Sequence, residues 1–285
     1  MKIGWIGLGA MGLPMAEKVL DQGSEVFVYN RTTSEAVSLV EKGAQLASSS
    51  QELLQSVDLV VSILSDMEAN QQVFSDPALA AGQGKIWLNM STISPNQSHE
   101  LAQRADSYEL SYLEAPVSGS VGAAQAGRLL SLLAGNQAQV QVVEPILRSF
   151  SAQIFYLGEL GRGTASKLVM NSLLASMGQA YAESFLLAED LGLDKGVLSQ
   201  IIAGSGMNSP LFQAKQTMLV QEVYPPAFMF KHMTKDLFLA KERVPQLEQL
   251  PLLEAVTASY QTALEAGLGE QDMIAIQQYL KEKRK

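Results

Sequence analysis

Along the first part of the chain, apolar residues gather in short runs bounded by turn-forming residues, and between the runs they recur at helical spacing. The runs cover residues 2–6, 25–29, 45–46, 59–64, 85–90, 112–115, 129–134 and 153–156. Runs this short, rich in Val, Ile, Leu and aromatic side chains, predict strands. The stretches 13–22, 34–42, 50–55 and 96–105 predict helices, with further helices before residue 85 and before residue 153. Strict alternation of the two implies an α/β fold, a mostly parallel, doubly wound sheet with helices on both faces. Ligands of such sheets sit beyond the carboxyl ends of the strands. Leu64, Ser65, Ser91, Thr92 and the segment 115–119 are therefore candidate lining.

After the glycines at 158, 161 and 163 the pattern changes. Alanine and leucine fill residues 164–191, predicting one long helix of about 40 Å at about 1.5 Å per residue. The remainder is expected to be helical, with breaks at Gly192, 204–210, 224–226, Pro245, Pro251 and 267–269. The expected organisation is two domains, 1–160 and 161–285, joined by a glycine turn into a shared helix.

The first strand runs directly into Gly7-Leu8-Gly9-Ala10-Met11-Gly12. In a β-α-β unit this spacing is that of a dinucleotide-binding turn. Gly7 permits the tight bend, Gly9 lets the backbone approach a pyrophosphate, and Gly12 lets the next helix pack closely. That helix directs its N-terminal amides at the phosphates. The second strand ends in Asn30, Arg31, Thr32 and Thr33 rather than in the acidic residue that would bind a ribose 2′-hydroxyl. A planar guanidinium and two hydroxyls suit a 2′-phosphate, so the reading is NADP(H).

With 285 residues, 47% of them apolar, the chain can bury a sizeable core without staples. It contains no cysteine, which removes disulfides, thiolate nucleophiles and Cys-ligated zinc, and its two histidines are far apart in sequence, so no metal is expected. A net charge of −9 argues against general nucleic-acid binding. A local positive cleft from Arg31, Lys167, Lys235 and helix N-termini remains compatible with anionic ligands. No apolar run approaches the roughly 18–20 residues that span a bilayer, and no leader is recognised, so the expectation is a cytoplasmic protein without membrane partners. The basic tail 281–285 reads as solvated.

Lys167 and Asn171 are spaced i, i+4 near the expected start of the long helix, on one face. A first-turn lysine faces the positive end of the helix dipole, which favours giving up a proton. In carbonyl reduction by a nicotinamide, a positioned ammonium supplies the proton that the oxygen needs. Taken alone, the pair also reads as a surface lysine and a polar helix residue. Ser118, Gly119 and Ser120 offer hydroxyls and amides suited to a carboxylate or phosphate, or else form a plain turn after Pro116. The pair Lys235 and Asp236 reads as solvated, and His232 as a surface or interface residue.

Together, Gly7 to Gly12, Ser91-Thr92, Ala115-Pro116-Val117-Ser118-Gly119, the glycines at 158, 161 and 163 with Lys167 and Asn171, and Lys235-Asp236 occur in an order that resembles the β-hydroxyacid dehydrogenases, the 3-hydroxyisobutyrate dehydrogenase group. Asn30 to Thr32, Ser120 and Phe230 to His232 look most like its NADPH-dependent glyoxylate and succinic semialdehyde reductase branch. The resemblance implies a Rossmann-type domain, an all-helical domain and a site between them. It makes Lys167 catalytic, Ser118, Gly119, Ser120, Thr92 and Asn171 substrate-binding, Lys235 a cofactor contact and Asp236 a support. Thr92 would lie near the nicotinamide and the substrate, and Leu64 and Ser65 are read as cofactor-binding. The implied partners are a small carboxylate-bearing aldehyde or hydroxy acid and further copies of the chain, as homodimer or homotetramer. Glu114 departs from the Asp usual before Ala-Pro-Val, and Ser120 from the second Gly of many hydroxyisobutyrate enzymes. An NAD-linked 3-hydroxyisobutyrate or tartronate semialdehyde dehydrogenase and a non-catalytic NADP-binding module are the alternatives.

Overall fold

The computed structural model describes every residue except Arg243, Pro245, Leu247, Glu248 and Lys285. The expected break at Pro245 and the last residue of the basic tail thus lie outside the described residues. Two compact units divide the chain, Met1–Lys167 and Leu168–Lys285, and the division falls within the helix Arg162–Asp190.

The first unit holds strands β1 (Lys2–Ile6), β2 (Glu25–Tyr29), β3 (Gln45–Leu46), β4 (Leu59–Ser62), β5 (Ile86–Asn89), β6 (Ser111–Glu114), β7 (Val117–Ser118), β8 (Leu129–Gly135) and β9 (Ser151–Tyr156). They form one sheet in the order β3-β2-β1-β4-β5-β6-β8-β7, with β9 also paired to β8. From β3 to β6 every pairing is parallel, with Ile3 opposite both Val26 and Leu59. Helices cover both faces, so central strands read as continuous apolar runs, and β4 is buried throughout. Trp5, Met15, Val28, Leu147 and Phe150 pack on one face. Leu53, Phe74, Trp87 and Leu101 pack on the other, where Phe74 stacks on Trp87 with ring centres 3.6 Å apart.

The far edge departs from the uniform alternation. Strand β8 runs antiparallel to β6 and β7 and parallel to β9. Residues 119–128 between β7 and β8 are too few for a helical crossover, which takes about a dozen or more, so the chain turns back instead. The pairing is one ladder: Leu113 opposes Gly135, Glu114 opposes Ala134, Val117 opposes Ser131 and Ser118 opposes Leu130. Across the gap Leu132 N donates to Pro116 O at 3.0 Å. Pro116 has no N–H to return, which interrupts the strand without shifting its register. The segment 115–118, expected as a strand end opening into a loop, is a continuation of β6.

In the second unit, helices Lys195–Ala203, Pro210–Gln221, Phe230–Lys241, Pro251–Ala263 and Ile276–Glu282 pack around Phe185, Phe212, Phe230 and Tyr260. Phe230 and Tyr260 stack at 4.7 Å. A buried ion pair, Lys215 Nζ to Asp272 Oδ2 at 2.6 Å, ties two segments together, and the same carboxylate oxygen accepts from the amides of Ala227 and Phe228. No helix among the described residues is long and apolar enough to cross a membrane.

Candidate functional site

Five parallel strands end side by side, and the candidate segments follow them: the glycine turn after β1, Asn30 after β2, Leu64 after β4, Thr92 after β5 and Ala115 after β6. The order reverses between β1 and β4, where a doubly wound sheet opens its ligand crevice. Local geometry in the glycine turn separates the three glycines. Gly7 has φ +96°, and a Cβ there would lie 2.2 Å from the carbonyl oxygen of Ile63. At Gly12 a Cβ would lie 2.0 Å from the Gly7 oxygen. A Cβ at Gly9 would meet nothing within 4 Å, so the backbone is bare toward open space where a pyrophosphate needs room. Helix Gly12–Asp21 carries no acidic residue in its first turn, which leaves its positive end uncompensated by the protein. These features fit a dinucleotide.

Asn30 has a different task from direct contact alone. Its Oδ1 accepts from Leu8 N at 3.0 Å and its Nδ2 donates to Thr32 O at 2.8 Å, clasping the glycine turn to the Arg31-Thr32 segment. Arg31 and Thr32 are exposed. Leu64 N donates to Ser91 Oγ at 2.9 Å, and Ser65 Oγ to Asp66 Oδ2 at 2.7 Å. Thr92 is half-buried beside Ser91.

Ser118 is half-buried on the β8 ladder, while Gly119 and Ser120 are exposed. Gly119 has φ +142°, a conformation that favours glycine, and a Cβ would stand 2.6 Å from Leu129 Cδ2, which would have to shift. Ser120 Oγ accepts from Ala123 N at 3.2 Å and caps the helix Val121–Gln125.

The helix bearing Lys167 begins at Arg162, two residues before the expected start. Lys167 therefore sits in the second turn rather than the first, where the dipole argument weakens, because that effect fades within about one turn. The early start has a cause that sequence reading missed. Glu114, 1% exposed, accepts from Thr164 N at 3.0 Å and from Ser98 Oγ. Burial pushes its carboxyl above the usual carboxylate range, against the opposing pull of Ser98 and the amides of Thr164, Gly163 and Gly161. Those amides are the ones a helix start leaves without partners.

Asn171, Lys235 and Asp236 belong to the second unit. Asn171 Nδ2 donates to Asp236 Oδ2 at 2.6 Å, both residues are buried, and Lys235 Nζ stands 3.1 Å from Asp236 Oδ1. The pair read as solvated is thus a buried carboxylate with one oxygen hydrogen-bonded to Asn171 and the other ion-paired with Lys235.

Residues 2–158 match the family described as the NAD binding domain of 6-phosphogluconate dehydrogenase, and residues 161–280 match the family described as NAD-binding of NADP-dependent 3-hydroxyisobutyrate dehydrogenase. The class is that of the NAD(P)-dependent dehydrogenases and reductases. The chain is 34% identical over 285 residues to glyoxylate/succinic semialdehyde reductase 2, chloroplastic, of Arabidopsis thaliana, covering 99% of this chain and 80% of that protein. A 3-hydroxyisobutyrate dehydrogenase structure from Salmonella typhimurium superposes with a TM-score of 0.90 at 25% identity, over 98% of this chain and 99% of that one. The structure of Psf3 in complex with NADP+ and 2-OPP also gives 0.90 at 25% identity, with the same coverage. The chain belongs to the β-hydroxyacid dehydrogenase family, and its cofactor is NADP(H).

Proposed function

We propose that this chain reduces small aldehyde acids to hydroxy acids with NADPH, glyoxylate and succinic semialdehyde being the first candidates. The observation that carries the reading is the crevice itself: a bare Gly9 backbone, an uncapped helix start and a row of strand ends carrying hydroxyls and amides, in a chain that retains Lys167. Similarity to the Arabidopsis reductase supports the substrate class. NADPH, when bound, supplies the hydride. Gly7 to Gly12 hold the pyrophosphate, and Arg31 and Thr32 take the 2′-phosphate. Leu64, Ser65 and Thr92 line the nicotinamide position, and Lys235 is a further cofactor contact. Ser118, Gly119 and Ser120 bind the carboxylate through amides and hydroxyls, while Asn171 holds the substrate oxygen. Lys167 delivers a proton to that oxygen from Nζ as it becomes an alkoxide.

Two copies or four are proposed to associate through the helical unit, where Leu187, Leu191, Leu193, Val197 and Ile201 are each more than half exposed. A cytoplasmic location accompanies this reading and is tested by cell fractionation. The decisive experiment follows loss of NADPH absorbance with glyoxylate, succinic semialdehyde, tartronate semialdehyde and methylmalonate semialdehyde, with NADH in parallel. Lys167→Ala is expected to lower turnover about 10²- to 10⁴-fold with NADPH binding intact. Near wild-type turnover in that variant would remove the proton-donor role. Faster turnover of methylmalonate or tartronate semialdehyde with NADH would favour the NAD-linked alternative.

A further inference from the structure

A buried polar network that the proposed reaction leaves unused underlies the strand ends. Beneath the ends of β4, β5 and β6, Asn70 Nδ2 donates to Ser91 Oγ at 3.2 Å, and Asn89 Nδ2 donates to Asn70 Oδ1 at 3.2 Å and to Tyr112 OH at 3.1 Å. The Tyr112 hydroxyl lies 3.2 Å from Ser98 Oγ, which donates to Glu114. All six side chains are buried. The network reaches backbone at Leu64 N, at Ser91 beside Thr92, and at Thr164 N in the first turn of the helix bearing Lys167.

A buried carboxylate costs stability unless its oxygens are well occupied. Here its acceptors face the otherwise unpartnered amides of a helix start, an arrangement that a smaller or apolar residue does not reproduce. The fit is tight, since a Cβ on Gly163 would lie 2.4 Å from Leu132 O and 3.0 Å from Glu114 Oε1. Lys167 follows Thr164 by three residues, about 4.5 Å of helix rise, so whatever fixes Thr164 fixes the base of Lys167.

We infer that Glu114 is a positioning residue: it holds the start of helix Arg162–Asp190, and with it Lys167, in fixed register with the strand ends that carry Thr92 and Ser118. The inference rests on the reading of Lys167 as proton donor.

The test uses the full chain with lysines reductively 13C-methylated, the Lys167 resonance assigned by K167R, alongside kcat and NADPH affinity. Glu114→Ala is expected to displace or broaden the Lys167 signal without cofactor and to lower kcat about 10- to 100-fold. The NADPH Kd should stay within about threefold of wild type, since the glycine turn is untouched. Glu114→Gln keeps an acceptor for Thr164 N, so its kcat should recover to within about threefold of wild type. An unmoved Lys167 signal, an unchanged kcat, or equal losses of kcat and cofactor affinity in Glu114→Ala would overturn the inference. Should Glu114→Ala not fold, Ser98→Ala decides: a moved Lys167 signal with a several-fold lower kcat supports it, and wild-type values for both overturn it. Failure of the proton-donor reading is separately visible, as retained turnover in Lys167→Ala beside a displaced Lys167 signal in Glu114→Ala.

Discussion

Replacing Asn171 by alanine removes the Nδ2 donor 2.6 Å from Asp236 Oδ2 and leaves a carboxylate that is 2% exposed with Lys235 on its other oxygen. A hydrogen bond to a buried charge is worth about 1.5–3 kcal/mol, and the abandoned acceptor keeps its desolvation cost. We expect Asn171→Ala to destabilise the second unit by about 2–3 kcal/mol. Asp236→Ala should cost a similar amount, and the double variant little more than either, giving a coupling of about 1.5–3 kcal/mol. Both tryptophans, Trp5 and Trp87, lie in the first unit, so their emission does not report on this loss. Native-state hydrogen exchange over the helix Phe230–Lys241 does, because it reads local opening free energies directly. A cost below about 0.5 kcal/mol, or strict additivity of the two substitutions, would show that the Asn171–Asp236 contact does not hold the unit together.

Other expectations concern the first unit. Gly9→Ala should fold within about 0.5 kcal/mol of wild type yet bind NADPH at least about tenfold more weakly, whereas Gly12→Ala, with its Cβ 2.0 Å from the Gly7 oxygen, should lose at least about 2 kcal/mol by tryptophan-monitored urea unfolding. Normal NADPH binding by Gly9→Ala would move the pyrophosphate elsewhere. Arg31→Gln should weaken NADPH about 10- to 100-fold and leave NADH affinity nearly unchanged in fluorescence titrations, because only NADPH carries the 2′-phosphate. Glu114 binds its proton more tightly folded than unfolded, so the native state holds more protons and this group's contribution falls as pH rises through and above the ordinary carboxylate range. The melting temperature of Glu114→Gln relative to wild type should therefore climb from about pH 4 to about pH 7, and a flat difference would contradict that burial effect.

Features that depend on near neighbours in sequence were legible. The glycine turn, the strand runs and the long helix are short-range patterns, and Gly7 and Gly12 have the steric reasons their spacing implies. What escaped depends on distant partners. Glu114 meets Thr164 across 50 residues and Asn171 meets Asp236 across 65, so neither the early helix start nor the burial of Asp236 has a local signature. Asn30 reads as a ligand from its position at a strand end, and its backbone clasp emerges only once the glycine turn is folded against it. Lys215 and Asp272, 57 residues apart, pair in the same hidden way.

Because residues 113–118 keep one register against β8 across the interruption at Pro116, the stretch proposed to meet the substrate carboxylate cannot be lengthened or shortened by a single residue without turning each following side chain to the opposite face. On the proposed carboxylate site, variation in the accepted substrate is channelled into exchanges of side chain at Ser118 and Ser120. Directed evolution by insertion and deletion should find this segment barren, and saturation of those two positions productive.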